Sequence, residues 1–304
     1  MDEAQSFAKR LCRLRMGVLA LGLAAFFGLV ELAPAQQEQR PRLQMSERIY
    51  EDQQALWQRT LASLVFQRPG VVDVYGLVFS PFDDGDVFLR ESNMVAKLLA
   101  DRFDARGRVV HLANHPLTAR THLWATPANL ERAVDALAER MDRENDVLVV
   151  YLTSHGAKDF MLAAANGALQ VEPLSPSELR RVLDQAGIRN RVIAVSACYS
   201  GGWVGPLASD TTLIMTAADA HHTSYGCGRL SELTFFGRAL FHEQLRKTHS
   251  FERAFAAAVP VIRQREIEAR KEDGFSNPQI RVGAGIRPVL RDLELRLAMP
   301  RPPG

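Results

Sequence analysis

The stretch DVLVVYLTSHG, residues 146–156, is apolar from Val147 to Leu152 and then stops on Thr-Ser-His-Gly. A short unbroken apolar run bounded by turn residues is the pattern of a strand buried on both faces. A second stretch, RVIAVSACYSGG at 191–202, has the same shape and ends on a cysteine. Around the pair, apolar runs alternate with helical patterns. Strand-like runs lie at 71–80, at RVVHLAN, at TTLIMTAA and at SNPQIRVG, and KDFMLAAANG reads as a short strand with a turn. Helical periodicity covers 46–66, 90–104, 127–141, 175–186, 231–247 and 250–271, with Ser46, Thr126 and Ser175 as N-caps and Pro127 and Pro176 at first helical positions. Residues 286–297 fit no single pattern. Alternating strands and helices predict an α/β fold with a mostly parallel sheet covered on both faces. In such sheets ligands bind beyond the carboxyl ends of the strands. His155 and Cys198 therefore emerge on one rim.

The chain has 304 residues and a formal net charge of +2 without a long basic run, so no nucleic-acid partner is expected. Lys9, Arg10, Arg13 and Arg15 precede an apolar run from Met16 to Val30, and small residues follow at Ala33 and Ala35. A basic head, a short apolar middle and an A-x-A end read as an export signal cut after Ala35. The run is shorter than the roughly 20 residues of a membrane span. The alternative is an uncleaved anchor at residues 16–30, the only membrane contact expected. Either way the protein is exported, with a bacterial periplasm as the expected compartment. The expected organisation is a signal or anchor at 1–35, a linker and N-terminal helix at 36–68, a catalytic domain at 69–285 and a tail at 286–304. The three cysteines, Cys12, Cys198 and Cys227, are too few for a disulfide scaffold.

Cys198 and His155 suit nucleophilic catalysis. A thiol attacks a carbonyl as the thiolate and needs a base to take its proton, and an imidazole can later return that proton to a leaving amine. The oxyanion that forms requires N–H donors. Gly156 and Cys198 offer theirs, and Gly201 and Gly202 keep the wall beside the cysteine low. Other readings of the same residues remain open. Cys198 can be a small buried apolar residue, or half of a disulfide with Cys227. A metal site from Cys198, Cys227, His155, His221 and His222 lacks any zinc-like spacing. A serine hydrolase elbow fails because Cys stands where its first Gly belongs.

YLTSHG followed by SACYSGG on consecutive apolar strands resembles the legumain, or asparaginyl endopeptidase, family of cysteine peptidases within the caspase-like group. TAADAHHTSYGC at 216–227 is similar to the family's Ala-Ala segment leading into Ser-Tyr-x-Cys. The similarity covers roughly residues 70–245. It implies a caspase-like α/β/α sandwich and peptide-bond hydrolysis through a thioester. His155 would be the general base and acid, Cys198 the nucleophile, and the Gly156 and Cys198 N–H groups the oxyanion hole. A peptide or protein is the implied substrate, and no metal or organic cofactor is implied.

The resemblance also marks Ser196, Thr223, Ser224 and Arg90 as substrate contacts. Ser196 stands where legumains carry an acidic residue, and a neutral hydroxyl cannot make the same charge-assisted bonds to an asparagine amide. Arg90 lies near the family's arginine position, and Asp83 or Asp84 could replace the missing partner of the histidine. Trp203 either lines the cleft or packs beneath it. His111, His115, His122, His242 and His249 read as solvated or capping. With the same dyad, a transamidase is the alternative enzyme, and a non-catalytic scaffold keeping the fold is the alternative from another class.

Overall fold

A computed structural model describes residues 46–167, 169–228, 231–271 and 274–299. The export segment at 1–35, with Cys12, and the linker up to residue 45 lie outside the described residues. No helix among the described residues is long and apolar enough to cross a membrane.

Six strands make one sheet among the described residues: β1 (Val74–Ser80), β2 (Val109–Ala113), β3 (Val147–Thr153), β4 (Asn190–Ser196), β5 (Thr212–Thr216) and β6 (Gln279–Val282). Their order is β2-β1-β3-β4-β5-β6. The first five are parallel, and β6 adds an antiparallel edge. Every residue of β1 and β3 is buried. This explains their unbroken apolar runs, since a central parallel strand has no solvent face to fill with polar residues.

Seven α-helices lie among the described residues: α1 (Glu47–Ser63), α2 (Asp86–Arg102), α3 (Pro127–Ala138), α4 (Pro176–Gln185), α5 (Val204–Leu207), α6 (Phe251–Glu268) and α7 (Ile286–Ala298). The two-residue alternation of β3 divides them into layers. Leu148, Val150 and Leu152 face Trp57 of α1, Leu130 and Leu137 of α3 and Leu179 and Leu183 of α4. Val147, Val149 and Tyr151 face Val95 and Leu99 of α2, Phe255 of α6 and Leu293 of α7. The result is an α/β/α sandwich with a mostly parallel central sheet.

The helix starts follow local chemistry. The Thr126 hydroxyl accepts the Asn129 N–H ahead of Pro127. Ser175 and Glu178 form a reciprocal capping box on α4. Four segments differ from the sequence expectation. Helix α2 begins at Asp86 rather than near residue 90, because Gly85, inside the turn-rich PFDDGD, has a φ of 116° that lets the chain swing directly into the helix. KDFMLAAANG forms only isolated bridges, Gly156 to Leu162, Leu162 to Leu174 and Asn166 to Leu169. Residues Gly237–Gln244 form a π-helix. The expected tail contains α7, which buries Ile286 and Leu293 against the second layer.

Candidate active site

Strands β3 and β4 run in register, with Thr153 level with Ser196. His155 and Cys198 each stand two residues further on, at the carboxyl ends of neighbouring parallel strands. The Ser154 N–H still reaches the Ser196 carbonyl at 3.3 Å. Just beyond, the two backbones press together. A Cβ on Gly156 would lie 2.1 Å from the Cys198 carbonyl oxygen and 3.1 Å from the Cys198 nitrogen. Only glycine tolerates that approach. The Gly156–Leu162 bridge is of the non-hydrogen-bonded kind, because the bonds flank it: Ala157 N–H to Met161 O at 3.1 Å and Ala163 N–H to His155 O at 2.9 Å. The Gly156 N–H is therefore turned away from Leu162.

The half-buried Cys198 thiol sits against the segment after β5. The Ser224 N–H points at Sγ from 3.3 Å, and the Ser224 carbonyl and hydroxyl oxygens lie 3.5 and 3.8 Å from it. His155 is held between two aromatic rings set edge-on, Phe82 at 4.9 Å and Phe88 at 5.0 Å. Phe82 comes from the loop after β1 and Phe88 from the first turn of α2. Burial lowers the His155 pKa from its ordinary value, and the negative charge of Asp84 partly opposes this. The imidazole is thus neutral near pH 7, the form that accepts a proton. Asp83, the other candidate partner, instead accepts the Gly167 N–H.

Other expected site residues have different surroundings. Ser196 is 2% exposed, and its hydroxyl pairs with that of Thr234 at 3.0 Å. The alternation of β4 turns it into the α2 layer. Arg90 is exposed and ion-paired to Asp86 at 3.3 Å. The Thr223 hydroxyl is buried with no hydrogen-bond partner among the described residues. Gly201 and Gly202 do not serve to keep a wall low. A Cβ on Gly201 would lie 2.4 Å from the Asp219 carbonyl carbon, and one on Gly202 would lie 2.2 Å from the Phe160 ring. Trp203 is 1% exposed and donates to the Phe160 carbonyl at 2.9 Å, so it packs beneath the loop. Cys198 and Cys227 are free thiols. Burial raises the Cys227 thiol, and Cys198 adds to the rise.

Two polar groups escaped the sequence reading. Asp219 holds His222 Nδ1 with both carboxylate oxygens at 2.8 Å, and it also accepts the N–H groups of His221 and His222 and the Asn277 amide. Burial opposes ionisation of Asp219, but these donors hold its pKa down to about 2. The His222 carbonyl accepts the Tyr199 N–H beside the nucleophile at 2.9 Å. The second group is Glu91, fully buried on α2. It lies within the expected helix 90–104, but an acidic side chain in a helical pattern gives no sign of burial.

No curated protein matches the chain. Among solved structures, caspase-1 from Spodoptera frugiperda is similar at 15% identity, covering 69% of this chain and 85% of that one with a TM-score of 0.46. A structure described as pro-sf-caspase-1 is similar at 15% identity, covering 69% and 91%, with a TM-score of 0.48. Residues 131–281 match the model of the Peptidase C13 family. The matched segment runs from within α3 to within β6 and includes His155, Gly156, Cys198 and Ser224; Phe82, Asp84 and Glu91 precede it. Over this segment, just under half of the chain, the protein is similar to the Peptidase C13 family.

Proposed function

We propose that the protein is a cysteine endopeptidase with Cys198 as nucleophile and His155 as its base. The observation that carries this reading is the register of β3 and β4, which sets the imidazole and thiol positions level at one rim while Gly156 abuts the Cys198 backbone. His155 takes the thiol proton as sulfur attacks the peptide carbonyl. The oxyanion is met by the N–H groups of Gly156 and Cys198, a class of interaction worth about 10²–10³ in rate per donor. Collapse breaks the C–N bond, and the proton passes from His155 to the leaving amine. Water, deprotonated by the same imidazole, then hydrolyses the thioester and restores the thiol.

Ser224, against Sγ, and Thr223 are the proposed substrate contacts on the loop side. With Ser196 in the interior, the legumain-type selection of asparagine is not proposed. The export reading of residues 1–35 assigns the substrate to an extracytoplasmic compartment, and a mature N-terminus at Gln36 in the native host is its test.

The deciding experiment is a peptide-library digest with wild type, Cys198→Ala and His155→Ala side by side. Cleavage lost with Cys198→Ala supports the reading. Cleavage that survives it removes Cys198 from the mechanism, and no cleavage by the wild type favours the scaffold alternative. An added amine nucleophile separates hydrolysis from transfer, since a transamidase would yield the amide product.

A further inference from the structure

Glu91 has no solvent exposure, yet its carboxylate gathers donors from two separate parts of the chain. Its Oε1 accepts the Tyr151 hydroxyl at 2.5 Å and the Thr153 hydroxyl at 2.8 Å. Its Oε2 accepts the Thr234 N–H at 2.8 Å. The backbone of Gly237 closes over it, since a Cβ there would lie 2.1 Å from Oε2. A buried carboxylate with three donors is stable only while all three stay in place, because each lost partner leaves an unsatisfied group in a low-dielectric interior.

The donors lead directly to the two reacting groups. Thr153 is two residues before His155 on β3. Thr234 bonds through its hydroxyl to Ser196, two residues before Cys198, at 3.0 Å. The next residue, Phe235, donates its N–H to the Tyr225 carbonyl at 3.0 Å, and Tyr225 follows the Ser224 that contacts Sγ. Glu91 therefore joins α2, the strand that ends at the base and the segment that braces the thiol.

We infer that Glu91 is a positioning residue that fixes the His155-bearing strand relative to the Cys198 thiol and its Ser224 brace. The inference rests on the dyad proposed above. Glu91 touches neither substrate nor reacting atoms. It acts through Thr153 on one side and through Thr234 with Ser196 on the other. An amide in its place can still accept the Thr234 N–H, but it loses the charge and must donate to the Tyr151 and Thr153 hydroxyls, which have to turn round and lose the strong bonds they donate to a carboxylate.

The test uses the full chain with Glu91→Gln and the milder Tyr151→Phe, which keeps the ring and removes one donor. One readout is kcat and KM for Cys198-dependent cleavage, per site titrated by alkylation. The other is the pH profile of iodoacetamide alkylation at Cys198, followed on its own peptide by mass spectrometry. The second needs no substrate, so it tests the clamp even if the chain cleaves no peptide and the functional reading fails. Glu91→Gln is expected to lower kcat per titrated site by tenfold or more with KM within twofold, and to shift the alkylation profile. Tyr151→Phe is expected to lower kcat about threefold in the same direction. If Glu91→Gln does not fold, Tyr151→Phe decides. Lowered thermal stability with wild-type kcat per site and an unchanged alkylation profile, in whichever variants fold, would overturn the inference and leave Glu91 a structural group.

Discussion

His155 owes its properties to its neighbours more than to its own chemistry. Phe82 and Phe88 withhold water from the ring and lower its pKa, while Asp84 pushes the other way. A base must be neutral to act, so the acid limb of kcat/KM should lie below the ordinary histidine value of about 6.5. The two influences give substitutions of opposite sign. Phe82→Ala admits water, raises the His155 pKa and moves the limb to higher pH. Asp84→Asn removes a favourable charge, lowers the pKa further and moves the limb to lower pH. Limbs that move together, or not at all, would remove His155 as the titrating base. His222 provides a control, because it has a tight carboxylate partner in Asp219 and lies beside Tyr199. With His155 as the base, His155→Ala should cost about 10²–10⁴ in kcat/KM, the usual range for a general base. His222→Ala should cost less than about tenfold, since the bond to Tyr199 uses the His222 backbone. The reverse ranking would transfer the base role to His222.

Among the elements, the close approach of the β3 and β4 ends is the critical contact. Gly156→Ala would set a Cβ 2.1 Å from a backbone oxygen that no rotamer change can move. Overpacking of this kind costs about 1–3 kcal/mol, and here it also separates base from thiol. The expected result is a folded protein with kcat/KM reduced at least a hundredfold and a lowered melting temperature. Ser175→Ala, by contrast, removes the reciprocal cap of α4 on the layer opposite Glu91. It should cost about 1 kcal/mol of stability in urea unfolding with unchanged kcat/KM. These elements also show what could be read beforehand. Strands β3 and β4 announce themselves because full burial demands continuous apolar residues, and α3 and α4 because their caps are local. The level placement of His155 and Cys198 follows from parallel pairing and was legible. The family match at Ser196 does not reveal which face of β4 it occupies, nor that its hydroxyl pairs with Thr234. Glu91 was invisible, since its partners come from distant segments that only the folded chain brings together, whereas Asp219 has local partners in His221 and His222 that an Asp at a loop start does not by itself announce. Gly202 was read as keeping the wall beside Cys198 low and not as a seat for Phe160, whose segment only the folded chain brings there.

For the whole molecule, the titrating groups set how stability responds to acid. His111 on β2 was read as solvated or capping, but it is partly buried against His122, with ring centres 4.9 Å apart and its Nε2 buried without a hydrogen-bond partner among the described residues. Burial, reinforced by the charge of His122, depresses its pKa to about 3. His122 is itself lowered by burial and by His115; its Nε2 pairs with Asn93, and His115 pairs with Asp86. An unfolded histidine binds its proton near pH 6.5, whereas the folded His111 does not until about pH 3. Its contribution is therefore fully present above 6.5 and is lost as pH falls between these values, by about 2 kcal/mol at pH 5. Asp146 works in the opposite direction. Burial raises its pKa to about 6, so between pH 6 and its unfolded value the folded state takes up the proton first and gains stability. The net acid response of the wild type mixes the two, and only a difference measurement isolates the histidine. His111→Phe preserves an aromatic ring of similar size without the buried nitrogen. Urea unfolding at pH 7 and pH 5 should show the wild type losing about 2 kcal/mol more than this variant over that interval. Equal losses would mean that His111 is already solvated or protonated in the folded state, and that the β2 edge of the sheet is open to water.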